Sequence, residues 1–154
     1  MNKTAIKAIT DEMFSYFHTK KSAAELANIL TDFIVDYSAL NLAVAINPTS
    51  TEQTVPPHPK CEEQLYYVYE LANTFRRLYK QHDPTTFFDK YITDDTCPVH
   101  LANQLQTANA YHARLALLAE SDALSCVCRT NSTAEQMECI SDICTILLTG
   151  LTVN

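Results

Sequence analysis

A single glycine, Gly150, serves a chain of 154 residues. Ordinary usage of about 7% would supply roughly ten. Glycine is the residue that adopts positive φ without penalty and lets a backbone approach a ligand closely. Phosphate-cradling loops, dinucleotide fingerprints and nucleophile elbows depend on it. None can be assembled from this sequence. Tight β-hairpins would also lack their usual turn residues. The shortage therefore excludes several enzyme classes and most strand-rich folds together.

What remains favours helix. Alanine, leucine, glutamate and glutamine are plentiful, and all are good helix formers. Apolar residues make up 47% of the chain, enough for one domain with its own core. Residues 1–154 are read as a single all-α domain.

The apolar spacing marks out the helices. Ile6, Ile9, Met13 and Phe17 share one face of a short N-terminal helix. Ser22 and Glu25 form an S-x-x-E capping box that opens the next helix. There Leu26, Leu30, Phe33, Tyr37, Leu40 and Val44 alternate steps of three and four, with Ile29 and Ile34 widening the stripe, from about Ala23 to Ile46. Four prolines then make 47–60 a long connecting loop. A helix from Cys61 carries Leu65, Val68, Ala72, Phe75 and Tyr79 inward. Asp83-Pro84 starts a short linking helix. Leu101, Leu105, Ala108, His112, Leu115 and Leu118 mark a helix over about 99–121. Residues 122–131 read as a connector. Ser132 and Glu135 form a second capping box, and Met137, Ile140, Cys144, Leu147 and Leu151 stripe the last helix. The expectation is a bundle of four main helices with one or two short ones, packed near 20°.

Charge narrows the partners. The net charge is −7 and no basic run exists, which argues against nucleic acid and anionic membrane. No apolar stretch approaches the ~20 residues that span a bilayer. The N-terminal residues carry acid rather than an apolar signal core, which fits either an intracellular chain or a mature chain with Met1 added.

Six cysteines leave three readings open: Cys61, Cys97, Cys126, Cys128, Cys139 and Cys144. A zinc site at Cys126, Cys128, Cys139 and Cys144 fits poorly, since structural sites use C-x2–4-C knuckles. Free thiols would behave as small buried hydrophobes. A disulfide framework is the preferred reading, because the count is even and several cysteines lie near loops. Asn131-Ser132-Thr133 adds a glycosylation sequon at Asn131, in the expected connector.

Catalysis finds no support. The five histidines form no metal spacing, and His112 on the core stripe reads as a satisfied buried residue. Carboxylates near helix starts complement the helix dipole. No cofactor or metal is expected, and no catalytic residue is assigned. A protein partner is the remaining possibility. Tyr66, Tyr69, Arg76 and Arg77 cluster on one helix, and tyrosine and arginine are enriched at binding hot spots. Phe87 and Lys90 follow nearby. These six residues are the expected partner-binding set.

Three stretches resemble the long-chain four-helix cytokines of the leukaemia inhibitory factor type. "LANILTDFIVDYSALNLAVAINPTSTEQTVPPHPKC" looks like their first helix, running into a proline-containing loop that ends at a cysteine. "LANQLQTANAYHARLALLAESDALSCVC" looks like their third helix ending in paired cysteines. "MECISDICTILLTGL" looks like their last. The resemblance implies a secreted, receptor-binding ligand with an up-up-down-down bundle. It also implies a Cys61–Cys139 disulfide, leaving Cys126 and Cys128 to pair with Cys97 or Cys144. The alternative is a cytoplasmic helical interaction module, such as a viral accessory protein, with reduced cysteines.

Overall fold

The computed structural model describes residues 3–46, 61–80, 97–121 and 130–152. The expected loop at 47–60, the short helix near Pro84, Phe87, Lys90, Cys126 and Cys128 lie outside them. Among the described residues every regular element is helical. They are α1 (Lys3–Thr19), α2 (Ala23–Ile46), α3 (Cys61–Lys80), α4 (Pro98–Ser121) and α5 (Thr130–Leu148), followed by a 3-10 turn at Thr149–Thr152.

Local chemistry explains the boundaries. Lys20 and Lys21 N–H groups both donate to Tyr16 carbonyl oxygen, closing α1. Ser22 Oγ accepts from the Glu25 amide at 3.2 Å, one half of the expected capping box. The second box is displaced: α5 begins at Thr130, so Asn131 sits in its first turn rather than in a connector.

α2 and α3 run antiparallel. Arg76 bonds Thr31 near one end, and Tyr37 donates to Gln64 Oε1 at 3.0 Å near the other. α4 and α5 are antiparallel too, with Cys144 against Ala102 and His112 against Gln136. These two pairs pack together, α2 touching α5 and α3 touching α4. The antiparallel α2–α3 pair differs from the parallel first two helices of an up-up-down-down bundle.

α1 is not the minor element expected. It is 17 residues long and sends Ile9 and Met13 fully into the core. Tyr16 is buried where only Phe17 was expected, and Phe17 packs edge-on against Phe75 of α3 at 5.7 Å. The one glycine lies where α1 meets the 3-10 turn. A Cβ on Gly150 would stand 2.9 Å from Ile9 Cδ1. Its φ is not positive, so close approach rather than backbone conformation favours glycine there.

The stripe of the last helix needs two corrections. Leu151, expected inward, is 61% exposed, because α5 gives way to the 3-10 turn before it. In α5 the buried side is set by Gln136, Ile140, Ile143 and Leu147, and Met137 is only half-buried.

Candidate protein-interaction surface

α3 has a strict inside and outside. Val68, Leu71, Ala72 and Phe75 are buried to within 1%. The opposite side carries Tyr66 at 60% and Tyr69 at 52% exposure. Fully burying a large apolar side chain is worth about 1.5–3 kcal/mol, so two exposed rings on one helix face leave considerable binding energy unused. Val35 of α2, 52% exposed, stands level with them in the antiparallel register. Arg76 and Arg77 are exposed farther along α3, and Glu62 and Glu63 are exposed at its start. The expected tyrosines and arginines therefore do share an open surface. Arg76 is not idle there: it bonds Thr31 Oγ1 across the helix pair and reaches Asn73 Oδ1 at 3.5 Å. Tyr67 turns aside instead, its hydroxyl 3.3 Å from His100 Nε2 of α4.

The cysteines are placed differently from the disulfide expectation. Cys97, Cys139 and Cys144 are free thiols, and no disulfide forms among the described residues. Cys139 is buried beside Tyr16 of α1. Cys144 faces α4, its S–H donating to Ala102 carbonyl oxygen at 3.5 Å. The two α5 thiols thus point to different neighbours, as the wide angle between positions five apart on a helix requires. The Cys139–Cys61 pairing implied by the cytokine resemblance is not formed. Burial pushes the Cys139 thiol up despite Lys21 and Tyr16. Burial alone pushes Cys144 up to about 12. Both are protonated and poorly nucleophilic near neutrality, since the thiolate is the reactive form.

Sequence reasoning missed a polar chain inside the core. Gln136 Nε2 donates to Asp36 Oδ2 at 3.0 Å, and Gln136 Oε1 lies 3.1 Å from His112 Nε2. A carboxylate can only accept, so the amide must turn its nitrogen to Asp36 and its oxygen to His112. That places the imidazole proton on Nε2. His112 Nδ1 is buried without a partner, and Phe33 packs on the ring at 4.8 Å. Burial lowers the His112 pKa, partly offset by Gln136 and by Asp36. Three helices, α2, α4 and α5, are tied together by these groups. All three side chains are buried, His112 and Gln136 to 0% and 1% exposure. The chain is structural polarity, suited to fixing which helix faces meet.

Comparison with family models, curated proteins and solved structures finds no match to this chain.

Proposed function

We propose that this protein is non-enzymatic and acts by binding another protein through the outer face of α3. The observation that carries the reading is the pairing of Tyr66 and Tyr69 in the open, on a helix whose other side is fully packed. Aromatic rings flanked by arginine are the side chains that dominate binding energy when covered. The packing of α2 with α3, of α4 with α5, and of these pairs with each other supports a four-helix ring, with α1 laid across it. A ring of this kind is a rigid platform for one exposed helix.

Two settings suit such a module. One is a secreted, disulfide-linked, glycosylated ligand of the cytokine type. The other is a module with reduced cysteines. The free, buried thiols of Cys139 and Cys144 and the antiparallel α2–α3 pair support the second.

The test is site-specific photocrosslinking in the expressing cell. A photoreactive residue at Tyr66 or Tyr69 should give a discrete covalent adduct, and one at exposed Glu12 of α1 should not. Adducts from Glu12 with none from α3 would overturn the reading.

A further inference from the structure

Charge on the outer face of α3 is arranged so that the face complements itself. Glu62, Tyr66, Tyr69, Asn73, Arg76 and Arg77 fall within an arc of about 100° at 3.6 residues per turn. Acid stands at one end and base at the other, about 22 Å apart at 1.5 Å per residue. The face is symmetric about the Tyr69–Glu70 bond in this respect: Glu62 and Arg77 are equidistant from it, as are Tyr66 and Asn73.

We propose that a second copy of this chain is the occupant of the face, the two α3 helices packing antiparallel about a two-fold axis beside Tyr69. The proposal rests on the reading of α3 as an interaction surface and names the partner. A two-fold contact puts the same patch on both sides, and it is the commonest oligomer symmetry. In the antiparallel arrangement Glu62 of each copy comes opposite Arg77 of the other. Two ion pairs form where parallel packing would set like charges together. Tyr66 covers Asn73 of the other copy, and the two Tyr69 rings meet near the axis. Val35 lies at the flank and extends the covered surface onto α2. Opposed helix directions also set the α3 dipoles against one another favourably. An interface of one helix face and its flank falls at the small end of stable contacts, so the dimer is concentration-dependent and weakens with salt.

The experiment is sedimentation equilibrium of the whole chain over a wide concentration range, with thermal unfolding followed in parallel. Arg77→Glu and Glu62→Arg should each weaken the dimer at least about tenfold, because each sets like charges face to face twice. The doubly reversed chain, Glu62→Arg with Arg77→Glu, should regain the dimer. Tyr69→Arg, which crowds charge at the axis, should abolish it and keep the fold. A dimer untouched by the single reversals overturns the proposal, since the contact then lies elsewhere. A chain that stays monomeric at every concentration overturns it also. In that case Tyr66→Ser with Tyr69→Ser decides the broader reading. An unchanged melting temperature leaves the face free for a different protein, and a loss as large as a core substitution removes both.

Discussion

His112 of α4 donates through Nε2 to Gln136 Oε1 of α5 at 3.1 Å, in a site closed to water. Its other nitrogen, Nδ1, is buried with no hydrogen-bond partner, and Phe33 packs on the ring at 4.8 Å. Protonation must therefore put a proton where nothing receives it. The folded chain binds that proton less readily than the unfolded chain, whose histidine keeps a value near 6.5. Stability contributed by this site is fully present above that value and is lost as pH falls through it toward the lowered one. Thermal melts should show a loss between pH 7 and 5, and His112→Gln should flatten that part of the profile.

Gln136 serves two partners at once. Gln136→Leu withdraws a hydrogen bond from both Asp36 and His112, and a buried polar group deprived of a partner costs about 1–3 kcal/mol. A loss in that range, measured by denaturant unfolding, is expected. Tyr37→Phe, which removes the donor to Gln64, should cost about 1 kcal/mol by the same measurement.

Gly150 can be tested by size. Ile9 Cδ1, the atom an added Cβ would meet at 2.9 Å, is the movable end of its side chain. Gly150→Ala should therefore change stability by less than about 0.5 kcal/mol, the tight contact being offset by reduced freedom of the unfolded chain. Gly150→Leu should cost about 1–3 kcal/mol by overpacking against α1. Adding Ile9→Val should recover part of that loss.

The thiols should separate by reactivity. Cys97 is exposed and should alkylate under native conditions, while Cys139 and Cys144 wait for unfolding. Intact mass during labelling reads this directly. The raised Cys144 value has a further consequence at high pH. Its contribution to stability is whole below the ordinary thiol range and is lost as pH rises through it toward about 12. Cys144→Ala should remove that alkaline loss.

The helices were legible because their stripes are strong: Leu26, Leu30, Phe33, Tyr37 and Leu40 are all buried as the spacing requires. The exposed pair Tyr66 and Tyr69 was legible for the converse reason, being out of phase with Val68, Ala72 and Phe75. The polar chain was not. Asp36 and Gln136 look like solvent-side residues in isolation, and only the meeting of α2, α4 and α5 makes them partners. His112 alone announced itself, as a polar residue inside an apolar stripe. Leu151 misled because periodicity continues past the point where the α-helix tightens into its 3-10 turn. The cysteines misled through their even number, which says nothing about which helix faces carry them.

The most direct test of the α3 surface is hydroxyl-radical footprinting of the chain, comparing dilute purified protein with the associated state. Tyr66 and Tyr69 should oxidise readily when dilute and become protected severalfold on association, while exposed Leu151 keeps its rate. Equal oxidation of Tyr66 and Tyr69 in both states, or protection confined to Leu151, would contradict an interface on α3.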